Sequence, residues 1–545
     1  MPVVGEGDPL LRPLSSLGED LKNLVNPTRT FTYILFVTVI IGGLQLAWCT
    51  ELANGSPFLQ SLGMSKALMS LVWIAGPLSG TIGQPIVGVF SDETRLKSGR
   101  RGPFIVGGGI ATIISLLMLS WSKSIVGLFY PSLSEGHLKE KTIPFAVVWV
   151  YILDFSIAAI QAGARALIVD NVPTHQQQVA NAWAARMTGI GNIIGYALGT
   201  LNLPKLAPFL GNTQFRALCT IASISLVVTV MPALWYVRER DPNTDPSVGH
   251  NDDTRTVHKL AQIWNDTVRA IRNLSPQSRL ICNTQFFAWI GYFPLLFYVT
   301  TYVGAMYRED FFAHRPIDAP PLTEEEWDEL WEESTRKGTA ALVVYAITSL
   351  IASFLLPYIA QSSYQGKSYA SMGQGLERIL MKLRVPGLTV KRVWTLSHVV
   401  FFLTMMSTYW IRNAAAANVF VGVWGIVWAV ALWAPFTLIS EEISRIRVKK
   451  GKAIVANDNN HRRYMSYEHE AGIVLGVFNV YISAPQVISS LISSLIFRLF
   501  SARPEIEAFG WVFRFGGLGA IIATYLSMFL KSPDQLEKDD EQANT

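Results

Sequence analysis

Residues 88–101 read Gly-Val-Phe-Ser-Asp-Glu-Thr-Arg-Leu-Lys-Ser-Gly-Arg-Arg, a short charged turn set between two long apolar runs. Charge packed this tightly between hydrophobic segments suits a hairpin joining two membrane-spanning helices, with the turn on the basic side of the bilayer. The rest of the chain agrees. Half of its 545 residues are hydrophobic, mean hydropathy is +0.30, and 16% are charged, where soluble domains carry about 25%. The net charge of +5 is spread over separate loops and gives no nucleic-acid-binding face.

A helix needs about 20 apolar residues to cross the hydrocarbon core. That length predicts an all-α membrane protein with spans near 31–52, 67–90, 103–121, 143–170, 181–203 and 215–237, then 280–303, 338–360, 392–411, 417–440, 470–497 and 508–531. The twelve fall into two halves, 31–237 and 280–531, with tails 1–30 and 532–545 and a polar linker 238–279 whose segment 256–272 reads as a surface-lying amphipathic helix. The first apolar run is too long for a signal peptide and is expected to stay as a helix. Loops 91–102, 361–392 and 441–469 are basic and fall on the linker's side, while the polar loop 304–337 opposite carries Glu324, Glu325, Glu326, Asp328, Glu329, Glu332 and Glu333. Both termini are therefore expected in the cytoplasm. Cys49, Cys219 and Cys282 sit in apolar stretches and read as buried thiols, and no metal-ligand spacing is present. Gly191, Gly195 and Gly199, four residues apart, predict a helix face made for close contact.

Gly88, Asp92, Gly99, Arg100 and Arg101 match the loop after the second helix of major facilitator superfamily transporters, in a form lengthened between its aspartate and glycine. With Gly76-Pro77-Leu78-Ser79-Gly80 and Gln84-Pro85-Ile86-Val87-Gly88 before it and Gly102-Pro103-Phe104-Ile105 after it, the region resembles the plant sucrose carriers and their fungal relatives. Leu153-Asp154 and Arg165-Ala166-Leu167 with Asp170, Ala180-Asn181-Ala182, Gly191-Asn192, Trp289 with Phe293-Pro294, and Leu475-Gly476-Val477-Phe478-Asn479 with Pro485-Gln486 extend the likeness. Val299 and Thr301 stand where the plant carriers have aspartates, and Glu51 where they have glutamine, which points to the fungal and animal branch and away from strict sucrose selectivity. The resemblance implies a twelve-helix major facilitator fold that imports a disaccharide or related glucoside, such as sucrose or maltose, with protons and by alternating access. It implies no enzyme activity, no cofactor beyond the coupling proton, and a monomer in the plasma membrane ahead of the vacuolar one. A sugar sensor or scaffold of the same fold that moves nothing is the alternative.

A charged side chain at mid-bilayer costs roughly 2.5–3.5 kcal/mol even on permissive scales, so Glu51, Asp154 and Arg165 need an interior partner or cavity. A purely structural ion pair satisfies that need as well as a transport site does. Asp154 and Arg165 are eleven residues apart on one helix, about three turns and about 16 Å, so they share a face without touching. Asp154 is the expected proton carrier, with Glu51 at similar depth as its substitute. Arg165 carries a fixed fork of donors suited to sugar hydroxyls. Gln84, Asn192, Asn479 and Gln486 are the amide candidates. Trp289, alongside Trp48, Trp73, Phe293 and Trp433, is an aromatic platform for a sugar's C–H face. Gly88, Asp92, Arg100, Arg101 and Asp170 are expected to gate the conformational exchange, with Asp92 pairing Arg100 or Arg101 or capping a neighbouring helix start.

Overall fold

The computed structural model describes residues 28–96, 98–173, 176–239, 265, 268–269, 271–316, 318–360, 385–455, 462–532 and 535–536, with only the backbone at some helical positions, among them 92–93 and 462–473. Twelve long helical segments form among them: α1 Phe31–Ser61, α2 over 66–93, α3 Gly102–Ser120, α4 Glu135–Asn171, α5 Gln177–Thr200, α6 Gln214–Tyr236, α7 Pro276–His314, α8 Glu324–Ile359, α9 Val390–Ser407, α10 Ala414–Val455, α11 Arg462–Leu499 and α12 Glu505–Met528. Nine are long and apolar enough to cross a membrane by length and composition; α2, α5 and α9 fall short of that measure. The helix expected over 256–272 lies mostly outside the described residues, as do most of the loop 361–392 and the side chains of 447–469.

Several helices run well past the membrane. The stretch 304–337, expected as a loop, is mostly helix: α7 continues to His314, and α8 starts at Glu324 behind a capping box in which Thr323 and Glu326 satisfy each other's backbone N–H groups. On the other side α10 reaches Val455 and α11 begins at Arg462, so much of 441–469 is helical too. Helix α2 is broken into Lys66–Val72, Ala75–Leu78, a π-helical turn Ser79–Gly83 and Gln84–Glu93. Pro77 and Pro85 account for the breaks, since each removes an N–H and crowds the preceding turn.

Helices α1–α6 and α7–α12 make two bundles that meet along two seams, α5 against α8 and α2 against α11. The second seam is made by residues 66–83 of α2. With twelve helices, the start of α1 and the end of α12 lie at one end of the molecule, the basic end; the opposite end carries the acidic stretch. Among the described residues, the hydrogen bonds and ion pairs joining the halves lie toward the acidic end. Ser56 donates to Phe297 O (2.6 Å), Trp331 Nε1 to Pro57 O (3.1 Å) and Ser494 to Ala67 O (2.8 Å). Lys205 pairs with Glu329 (2.9 Å), Lys66 with Glu505 (3.5 Å), and Gln214 N donates to Glu332 (2.9 Å). Trp73 stacks on Phe297 at 4.5 Å. The basic end is open: a cavity of about 1070 Å³ runs between α5, α8 and α10 from Asn192 and Trp428 at mid-depth to Asn181, Pro357 and Glu441. Gly88 on α2 and Gly476 on α11 also face space there, and a Cβ on either would meet nothing within 4 Å.

Candidate functional site

Helices α1 and α4 pack against each other inside the first half and bring Glu51 and Asp154 together. The two side chains are 3% and 1% exposed, and their carboxyl groups interact directly. Among the described residues, no donor reaches any of their four oxygens. Buried carboxyl groups without donors are costly. Two that face each other are satisfied when one carries a proton and donates it to the other. The broken part of α2 passes alongside, so close that a Cβ on Gly76 would stand 3.8 Å from Asp154 Oδ1. π-helical turns frequently accompany functional sites.

Farther along α4, Gln161 and Arg165 follow Asp154 at seven and eleven residues, on the same helical face. The face is not uniform. Asp154 is enclosed instead of lining an open wall, while Gln161 is half-buried and Arg165 is exposed. Arg165 makes no hydrogen bond or ion pair with the described residues, so its fork of donors is available. Gln84 reaches the same stripe, donating from Nε2 to Gln161 Oε1 (3.1 Å). Gln161 was not singled out from the sequence; its position two turns after Asp154 was the signal.

Asn192 is presented by the glycines around it. A Cβ on Gly191 would stand 2.7 Å from Gln45 Cβ, and one on Gly195 would stand 2.7 Å from Cys49 Cβ, so only glycine lets α5 close this far onto α1. At that separation Gln45 Nε2 and the Cys49 thiol both donate to Asn192 Oδ1, at 2.8 and 3.2 Å. The carbonyl is occupied, and the Asn192 amide has its N–H donors left for the cavity it lines.

The second half meets this wall with aromatic rings. Trp428 borders the cavity, with Trp289 edge-on at 5.7 Å, Tyr292 at 6.3 Å and Trp424 at 5.8 Å; Tyr345 stacks on Trp424 at 4.3 Å. The indole N–H groups of Trp289 and Trp424 are buried without an acceptor among the described residues. Of the other expected ligands, Trp433 lines the cavity. Trp73 and Phe293 lie in the packed core instead. Gln486 donates within its own helix to Ile482 O (3.0 Å), and Asn479 is exposed; neither is brought to the polar residues of the first half.

At the basic end, Asp170 draws the turn onto α4. It accepts from Arg101 Nε (2.8 Å) and Arg100 Nη2 (3.5 Å), and Arg101 Nη1 reaches Ser91 (2.5 Å). The expected partner was Asp92, whose side chain lies outside the described residues. The carboxylate that pairs with both arginines is Asp170, at the far end of α4. Glu239, just past α6, accepts from the backbone N–H groups of Arg100 (2.7 Å), Arg101 (2.8 Å) and Gly102 (2.5 Å). Read as part of a linker, Glu239 gave no sign of this role. Gly99 at φ +109° makes the turn, and Glu239 fills the space where its side chain would be.

The family model described as Major Facilitator Superfamily matches residues 30–454. The chain is 33% identical over 553 residues to a general alpha-glucoside permease of Schizosaccharomyces pombe, covering 92% of this chain and 93% of that one. It is 26% identical over 536 residues to the sucrose transport protein SUC4 of Arabidopsis thaliana, covering 94% of both. Its fold is similar to the crystal structure of a D-xylose–proton symporter, with a TM-score of 0.52 at 12% identity, covering 92% of this chain and 98% of that one. It is also similar to an inward open conformation of the xylose transporter XylE from E. coli, with a TM-score of 0.55 at 12% identity, covering 92% and 97%.

Proposed function

Because the chain belongs to the Major Facilitator Superfamily, and is a membrane carrier and not an enzyme, we propose that it is a proton-coupled symporter for an α-glucoside such as maltose or sucrose. The observation that carries the reading is the enclosed Glu51–Asp154 pair, whose Asp154 shares α4 with an exposed arginine left unpaired among the described residues, beside a donor-rich amide wall. The likeness to the alpha-glucoside permease and the sucrose transport protein supports the substrate class.

In this mechanism the two halves rock about a midplane site. The basic loops assign the basic end, and both chain ends, to the cytoplasm, so the arrangement described is open inward and tied shut outward. Arg165, Gln161 and the Asn192 amide donate to sugar hydroxyls, and Trp428 and Trp289 cover the C–H face. The carboxyl pair holds one proton between its oxygens. A proton entering from outside with the sugar neutralises the pair and lets the loaded carrier reorient; hydration from the inner cavity then lets it leave. One charge moving down 100 mV yields about 2.3 kcal/mol and one pH unit about 1.4, together about 500-fold accumulation.

The test is uptake of labelled sugar into vesicles with and without an imposed proton gradient, with sucrose, maltose, trehalose and glucose as competitors. Binding without uptake would replace transport by sensing. Accumulation that ignores the gradient would remove the proton.

A further inference from the structure

Ion pairs neutralise many of the charges at the ends of the bundle: Arg100 and Arg101 share Asp170, Arg445 holds Glu442, and Lys66 and Arg308 share Glu505. Lys391 and Arg392, neighbours at the start of α9 on the basic end, are held differently. Lys391 Nζ donates to the carbonyls of Met528 (3.0 Å) and Leu530, and Arg392 Nη1 to Gly387 O (2.6 Å). Carbonyls orient these cations without cancelling their charge. A guanidinium has five N–H donors and an ammonium three, so both keep donors to spare. The pair walls a groove of about 480 Å³ between α9 and the end of α12, and none of the nine described residues that line it is acidic. Lys391 also lines the adjoining groove with Glu441 and Glu442; Glu442 is occupied by Arg445 and Ser275, and no ion pair joins Lys391 to either acid among the described residues.

What lies beneath the cations gives the site its shape. Leu396, Val400 and Leu403 continue one exposed stripe of α9 at helical spacing below Arg392, and Ile521, Tyr525 and Met528 make the matching exposed stripe of α12. The two helices pack side by side. The result is a two-charge anion seat at the membrane surface, opening into an apolar trough directed toward the bilayer core. A free phosphate ion would use the seat and leave the trough idle; a phospholipid uses both. The groove is separate from the sugar cavity, which lies between α5, α8 and α10.

We infer that Lys391 and Arg392 bind the headgroup of an anionic phospholipid whose acyl chains lie in the α9–α12 trough. The inference does not depend on the transported substrate or on the proton. It is tested on the full chain in detergent, by native mass spectrometry with phosphatidylserine and phosphatidylcholine in competition. The expected result is preferential retention of phosphatidylserine. Each cation near an anionic surface is worth about 1 kcal/mol, so Arg392→Gln should weaken that retention roughly fivefold, and Lys391→Gln with Arg392→Gln roughly 30-fold. Arg392 is exposed and, among the described residues, its guanidinium is held by Gly387 O, so the single variant keeps the test alive if the double one does not fold. Equal retention of the two lipids by the unaltered chain, or undiminished preference in Arg392→Gln, would overturn the proposal. So would displacement of the lipid by millimolar inorganic phosphate or by glycerophosphoserine, which carries the headgroup without chains.

Discussion

The first half presents a wall of acids and amides, and the second half meets it with a cluster of aromatic rings. Glu51, Asp154, Gln84, Gln161, Arg165, Gln45 and Asn192 lie on α1, α2, α4 and α5; Trp289, Tyr292, Tyr345, Trp424 and Trp428 lie on α7, α8 and α10. Two halves of one fold have been given different chemistry. A sugar has two kinds of surface, a rim of hydroxyls and a flat C–H face, and a site split this way offers each half one of them. On the proposed mechanism the proton then belongs to the first half alone. Coupling and apolar recognition should be separable by mutation.

The largest effect should come from Asp154→Asn, which fixes one member of the pair in a form resembling the protonated acid. Accumulation against a gradient should vanish while exchange between preloaded and external sugar persists. Sugar-induced proton uptake in proteoliposomes, for this variant, for Glu51→Gln and for the double variant, measures it. Uptake surviving in Asp154→Asn but lost in Glu51→Gln would move the role across the pair; uptake surviving in both together would break the division between halves. Arg165→Lys keeps the charge and loses the planar fork. Removing bidentate hydrogen bonds of about 1.5–3 kcal/mol predicts transport reduced roughly 10- to 100-fold at normal surface expression. A folding defect with normal activity in the protein that survives would make Arg165 a packing residue instead.

A smaller effect is expected from Asp170→Asn, which leaves Arg101, 7% exposed, without its carboxylate partner. Turnover should fall about tenfold with equilibrium sugar binding unchanged, because the change lies at the basic end, below the cavity's deep wall. Loss of affinity with intact turnover would contradict that placement. The mildest variant is Trp428→Leu, where loss of an aromatic contact worth about 0.5–1.5 kcal/mol should raise KM roughly two- to tenfold. Its proton-to-sugar ratio should not move. If the ratio moves, the aromatic half takes part in coupling and the comparison fails.

Much of this was readable from the chain. Spans and their division follow from apolar length, and the need of Asp154 and Arg165 for an interior partner or cavity from the price of charge in a bilayer; that Asp154 is enclosed while Arg165 is exposed was not legible. What the sequence withheld was partnership between helices. Periodicity relates Asp154 to Gln161 and Arg165 on one helix, yet gives no distance from Glu51 on another. The turn itself offers Asp92 and Glu93 as acids close to Arg100 and Arg101 along the chain, while Asp170, about 70 residues on, pairs with both in space. Amides such as Gln45 and Gln161 look like any polar residue in a span until the packing glycines bring α5 onto α1. The helical ends of α7 and α8 were legible in principle, through Thr323 and Glu326 three residues apart, but an acidic run reads first as a loop.

Gly88 and Gly476 have room around them that nothing in the present arrangement uses. Where Gly291 and Gly338 are pressed against the backbone of a neighbouring helix, an open glycine at the basic ends of α2 and α11 suits a contact belonging to the opposite conformer, in which those ends come together. A methyl group at either position would be free of charge here and would collide there. Alanine at 88 or 476 would then behave thermodynamically like an inhibitor that recognises the inward-open state alone, shifting the balance of populations without touching sugar, proton or fold.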